Sequence, residues 1–243
     1  RFHYLQLVQE EDGNFLQRLQ TAQVTYKNQK TDQEELQKEL AKQKANLNSQ
    51  KAAKASLLAA TKNDEAKYQR LLAQARAELE AIQSIIAGQG RETQAGEVGE
   101  GQRIASFISG ASACSSGTHL HFQVVKDGSN HNPAGFLTSK QVIWDIGPDS
   151  SFSFTGSWPW PVNDPVRITQ GYGMTYYASV LKYYGGAPHT GIDMLNNNGD
   201  STVKAVRQGT LYQGAIACGG GTLRYVRVQQ GDGYNTYYLH VNY

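Results

Sequence analysis

The chain has 243 residues, enough for a sizeable core in one or two domains. A net charge of +2, with no strong imbalance in either part, excludes the basic footprint of a nucleic-acid binder. No run of 18 apolar residues and no signal-peptide core is visible, and the start at Arg1 reads as a processed or trimmed piece, with an export signal or membrane anchor allowed upstream.

Composition divides the chain in two. Only Gly13 of the 25 glycines precedes position 88, and all six prolines fall at or after Pro133. Residues 1–87 carry a heptad pattern. Starting position a at Leu5 gives apolar residues at eight of twelve a positions, among them Leu19, Tyr26, Leu40 and Ile82. Seven of twelve d positions are apolar, among them Phe15, Leu36, Leu71 and Ile85, while Gln29, Gln43, Gln50, Asp64 and Glu78 interrupt the series. A register held this long without proline predicts a coiled-coil helix. Its stripe needs a partner, either an upstream segment, a second copy or an envelope protein, because one amphipathic helix cannot bury its own face. Gly13 marks a place where the helix could turn.

From Gly88 a run of glycines ends the helical pattern and announces turns. The stretch Gly117-Thr118-His119-Leu120-His121-Phe122-Gln123-Val124 then alternates as a strand, which puts His119 and His121 on one face. A hairpin turn is expected at Lys126-Asp127-Gly128 and a closing turn at Asn132-Pro133. Residues 141–157 read as a linker. Trp158 and Trp160 read as core packing. Cys114 and Cys218 sit in similar small-residue loops; they either pair, as in an exported protein, or stand as two unpaired small residues. The tyrosines of Tyr176 to Tyr184 are expected to wall a groove rather than pack a sheet edge. His3 and His131 are assigned to the surface.

Residues Val98 to Leu137, with Ser116 to Val124 at their centre and Asn132-Pro133 near their end, resemble the C-terminal half of the lysostaphin-type (LytM-like) peptidoglycan endopeptidases. Thr118 and Gln123 stand where relatives often carry other residues. The runs Ile168 to Gly173, His189 to Asp193, Val203 to Thr210 and Thr236 to His240 resemble, in that order, the family's N-terminal half. The halves are swapped, so the resemblance implies a circular permutant. The expected architecture is α+β: a long N-terminal coiled-coil helix over 1–87, then a mainly antiparallel β-sheet, LytM-like domain over 88–243. Within that domain 88–140 is the usual C-terminal half, 141–157 joins the usual ends, and 158–243 is the usual N-terminal half.

The resemblance implies His121, His189 and Asp193 as ligands of a Zn²⁺, a two-histidine, one-carboxylate set that leaves a fourth position open. His119 and His240 are the catalytic histidines, with His119 favoured as general base and His240 as donor to the developing oxyanion; residue types alone leave the reverse assignment open. The implied function is a zinc metalloendopeptidase that hydrolyses peptide cross-links of bacterial peptidoglycan, extracytoplasmic in the cell envelope or secreted, and positioned or restrained by its coil. The alternative is a non-catalytic coiled-coil regulator that activates a separate wall amidase; such relatives have typically lost metal ligands, whereas this chain keeps all five site residues.

Overall fold

A computed structural model of the chain describes residues 2–61 and 65–243. His3 and the seam positions before Phe15 or between Gln50 and Asp64 lie outside the described side chains. The protein is α+β, with a long N-terminal helix and a mostly antiparallel sheet. It divides into two compact units, Arg1–Ser56 and Leu57–Tyr243.

Helix α1 runs Phe2–Thr61 and passes through Gly13 without a turn. One glycine costs a helix only about 1 kcal/mol, which a segment rich in Gln, Lys, Glu and Ala absorbs. Its apolar residues Phe15, Leu19, Tyr26, Leu36, Leu40 and Leu47 are 50–70% exposed. Among the described residues no helix is long and apolar enough to cross a membrane.

Helix α2, Glu65–Ile86, belongs to the second unit, and its buried face is Ala75, Glu78, Ala81, Ile82 and Ile85. This stripe packs on strands: Ala81, Ile82 and Ile85 share one cluster with Val125, Leu223, Tyr225, Tyr237 and Leu239. Burying an isoleucine contributes about 1.5–3 kcal/mol. The helix stops where Gly88 takes φ +76° and the amides of Gly88 and Gln89 bond to the carbonyls of Ile85 and Ser84. A left-handed glycine is the usual way for a helix to satisfy its last carbonyls.

The strands that follow are β1 (Arg91–Val98), β2 (Arg103–Phe107), β3 (Leu120–Lys126), β4 (Ser129–His131), β5 (Ile143–Trp144) and β6 (Val166–Gln170). After a short helix α3 (Tyr176–Ser179) come β7 (Ile192–Asn196), β8 (Thr202–Lys204), β9 (Gly209–Cys218), β10 (Gly221–Gln229), β11 (Tyr234–Leu239) and β12 (Val241–Asn242). The main sheet has the order β1-β9-β10-β11-β3-β7-β6-β5, with β4 hairpinned onto β3, and a small sheet has the order β12-β2-β8. Among the strand pairs of the described residues only β5 and β6 run parallel. The expected hairpin turn is present, with Asp127 and Gly128 both at positive φ, the geometry that matches strand twist in a two-residue turn. Asn132 caps the closing turn by accepting the Ala134 amide.

Strand β3 is central and buried on both faces. Leu120, Phe122 and Val124 enter the main core with Ile168, Ile192, Met194 and Tyr238. The opposite face carries His121 and Gln123, fully buried. The span 141–157, expected as a linker, contributes to the core instead: Ile146 and Phe154 are buried, and residues 138 and 156 bridge in parallel. Gly156 allows this, since a Cβ there would overlap the Phe136 backbone. Trp160 is buried and its indole N–H donates to Thr138 O at 2.9 Å, while Trp158 packs at a tilt against Phe136. Cys114 and Cys218 form a disulfide. His131 is not a free surface residue; its ring meets Phe136 and Tyr234 edge-on.

Candidate metal centre

Cross-strand pairing assembles the first cluster. In the β3–β7 ladder His121 lies directly opposite Asp193, so two side chains 72 residues apart meet on the buried face. His189 is held on an extended segment bridged to Gly173. Gly191 between the two motifs has no room for a side chain: a Cβ would stand 2.5 Å from Phe122 O and 2.6 Å from His121 Nε2.

Three donor atoms converge. His121 Nδ1 is 2.9 Å from Asp193 Oδ1, His189 Nε2 is 3.1 Å from His121 Nδ1, and His189 Nε2 is 3.3 Å from Asp193 Oδ1. Ligand atoms at 2.0–2.1 Å from a tetrahedral zinc lie about 3.3 Å apart, so this triangle is close to one face of such a site. The outer hydrogen bonds aim it. The far nitrogen of His189, Nδ1, donates to Gly171 O at 2.7 Å, and His121 Nε2 donates to Gln123 Oε1 at 3.1 Å. In the neutral tautomers that these bonds favour, each imidazole would turn a lone pair to the triangle, beside a carboxylate oxygen. Three donor atoms at this separation could hold a metal ion, with a proton shared with Asp193 in its place when none is bound, and orientation of ligand histidines through their second nitrogen is the usual support of a metal site.

Electrostatics follow the same logic. Burial alone would raise Asp193, but His189 and His119 beside it, with hydrogen bonds from His121 and His189, hold it well below the usual carboxylate range. Burial opposes charge on His189 too, yet Asp193 and the Gly171 carbonyl more than offset this and raise its pKa. Without metal the cluster thus keeps a proton on His189 to higher pH than a free imidazole would, and a metal must displace it. Zinc affinity is expected to fall about tenfold per pH unit below the His189 pKa and to level off above it. Competition with a chelating dye across neutral to mildly acidic pH measures this; an affinity indifferent to pH would contradict the ligand assignment.

The second cluster adjoins the first. His119 lies one residue before β3, not within it, but still faces the same side: its Nε2 is 4.0 Å from Asp193 Oδ2. Its Nδ1 donates to Gly117 O at 3.2 Å, leaving the Nε2 lone pair toward the cleft. His240 sits at the bend between β11 and β12 with φ +63°, and its ring centroid is 4.6 Å from that of His119. Glu78 from α2 completes the group, accepting from His240 Nε2 at 2.7 Å. Glu78, His119 and His240, like His121, His189 and Asp193, form a set whose ligand atoms lie within 4.8 Å of one another. All five histidine and aspartate positions named from the sequence therefore meet at one place.

Two participants had no reading as site residues. Glu78 is a polar residue at a d position between Leu71 and Ile85, and that interruption of the seam was the available signal. Burial would raise Glu78, but His240, then His119 and His121, lower it below the ordinary glutamate value, so it is an anion. Tyr184 is the other: it stacks on His189 at 5.6 Å and its hydroxyl donates to Gln170. Tyr176 is buried and Tyr183 packs against Tyr68 of α2. The tyrosine segment thus supports the histidines and meets α2 as well as bordering the cleft. Comparison with protein-family models, with curated proteins and with solved structures finds no match.

Proposed function

We propose that this protein is a zinc endopeptidase acting on the peptide cross-links of bacterial peptidoglycan, a circularly permuted LytM-like domain behind a coiled coil. The observation that carries the reading is the acceptor triangle of His121, His189 and Asp193 with His119 and His240 on its open side. Zinc held by the triangle would supply the Lewis acidity that polarises a scissile carbonyl and acidifies water. The choice of substrate rests on the motif resemblance.

The hydrogen bonds support a division of labour between the catalytic histidines. With Nδ1–H committed to Gly117 O, His119 presents a basic Nε2 that takes the proton of the attacking water. His240 accepts at Nδ1 from the Ser112 hydroxyl at 3.3 Å and keeps its proton on Nε2, so it is the donor to the oxyanion. Burial lowers the His240 pKa despite Glu78, which keeps that imidazole neutral near pH 7.

The exposed apolar stripe of α1 supports a partner helix, a second copy or an envelope protein as its cover. The disulfide supports an extracytoplasmic location, where such bonds persist. Incubating the full chain with purified wall, with and without a chelator, tests the function by mass analysis of released muropeptides. Chelator-sensitive release is expected; no release at any zinc concentration would favour the amidase-regulator reading.

A further inference from the structure

A second cavity, about 300 Å³ in volume, is bordered by Ser109, Thr118, Arg167, Leu195, Asp200 and Ser201. Strand register places it beside the metal triangle. Leu195 lies two residues after Asp193 on β7, so both side chains leave the same face of the strand, about 7 Å apart along it. Arg167 pairs with Leu195 across the β6–β7 ladder and shares that face. Thr118 directly precedes His119. The cavity at the histidines is bordered by His119, Thr169 and Asp193, and this one by their near neighbours Thr118, Arg167 and Leu195. The two therefore follow one another along β6 and β7. Among the described residues none from α2 borders the second cavity, so its occupancy does not depend on that helix.

Two opposite charges border this cavity without satisfying each other. The Arg167 guanidinium makes no hydrogen bond among the described residues: its Nε is buried without a partner, and its ion pair with Asp145 Oδ2 spans 3.6 Å, too long for a hydrogen bond. Buried donors are seldom left so. Asp200 is fixed by the Asn163 amide at 2.7 Å and the Thr202 backbone N–H at 2.9 Å. These bonds, with Arg103 nearby, pull its pKa down to about 2, and each carboxylate oxygen keeps a lone pair for a further donor. A simple anion suits Arg167 but is repelled by Asp200, and a simple cation meets the reverse. A group with carboxylate and ammonium on one carbon matches both, and its few heavy atoms suit a cavity of this size.

We propose that this cavity is a subsite for a free α-amino-acid head on the peptide that crosses the metal centre, with Arg167 taking the carboxylate and Asp200 the ammonium. The proposal rests on the peptidase reading for the use made of that peptide, and it narrows the substrate. The cross-link is one built on a diamino diacid, whose side chain carries such a head, and not on lysine, whose side chain ends in an ammonium alone.

Calorimetry on the full chain tests this with three tripeptides of one sequence, none of which has a cross-link to cleave. They end in meso-diaminopimelic acid, in lysine, which lacks the second carboxylate, or in diaminopimelic acid acetylated on the head nitrogen, which lacks the ammonium. The first should bind about tenfold tighter than either of the others, the scale of one charge-assisted bond. Arg167→Gln should bind the first probe only as tightly as the lysine probe, with its lysine affinity unchanged. Asp200→Asn should lose the preference over the acetylated probe, and both variants should keep full zinc. Equal affinity of the unaltered chain for all three probes, or no measurable binding, overturns the proposal. An Arg167→Gln protein that weakens toward all three alike also overturns it, since Arg167 would then only support the fold. An Asp200→Asn protein that keeps its preference overturns the ammonium pairing. Selective binding by a chain that releases nothing from wall upholds the subsite and overturns the peptidase reading, whereas wall hydrolysis without selective binding does the reverse.

Discussion

His121→Ala is expected to reduce bound zinc from one ion per chain to a trace and to abolish wall hydrolysis, while His119→Ala keeps its zinc and still loses activity. The two histidines are one residue apart, so the contrast isolates role from position. Removing His121 takes away the donor that is 2.9 Å from Asp193 Oδ1 and 3.1 Å from His189 Nε2. Two donors remain, too few for a stable zinc site. Gln123 Oε1 loses one partner but still accepts from the Thr190 hydroxyl at 3.1 Å, so the change reads chiefly on the metal. His119 contributes no edge of the triangle; in the proposed mechanism its loss removes a general base, about 10²- to 10⁴-fold in rate. Metal analysis beside muropeptide release reads both effects, and a His121→Ala protein with full zinc would refute the ligand set.

Asp193→Asn should resemble His121→Ala, for a related reason. The carboxylate is held ionised by its histidine neighbours against its burial. A neutral amide offers one weak oxygen and introduces N–H donors among groups whose free sites are acceptors.

The local motifs announced the cluster because its side chains come from short extended segments in which side-chain direction follows from period two. His121 and Asp193 end opposite each other through ladder register, and Gly191 is required by the approach of β3. Where the chain leaves regular structure this legibility stops. His240 reaches its position through a left-handed residue between two strands, a conformation that nothing in Tyr238-Leu239-His240-Val241 signals. The helical third shows a different limit. A 3.5-residue stripe states that a face is covered and is silent about what covers it: Ile82 and Ile85 continue the pattern of Leu19 and Leu40, yet they lie on the sheet beside Leu223 and Leu239. For the same reason Glu78 reads as a flaw in a seam until its tertiary partner His240 is known. The segment 141–157 misleads through composition, because its glycines and serines mark turns that nonetheless carry Ile146 and Phe154 into the core.

Breaking the Cys114–Cys218 disulfide is expected to lower stability substantially and to weaken catalysis more than metal binding. The bond joins residues 104 apart, and closing a loop of that order removes about 4–5 kcal/mol of unfolded-state entropy in the chain-entropy model, with about 2–5 kcal/mol seen when native bonds are lost from small secreted domains. Both sulfurs are buried in the cluster that seats Ala81, Ile82 and Ile85 of α2. Cys114 also begins the loop that delivers His119: Ser115 donates to Gly117 O at 2.8 Å, and Gly117 O in turn holds His119 Nδ1. Loosening this loop disturbs His119, while His121, His189 and Asp193 stay fixed by β3–β7 pairing and the bridge at Gly173. Urea unfolding of a Cys114→Ser/Cys218→Ser protein, with zinc content and hydrolysis measured on the same sample, separates these consequences. A midpoint equal to that of the oxidised chain would show that the bond adds nothing to the fold. A lowered midpoint with zinc retained and hydrolysis weakened would tie the proposed role of His119 to an oxidising compartment, since in a reducing one the cluster would keep its metal and lose the loop that aims His119.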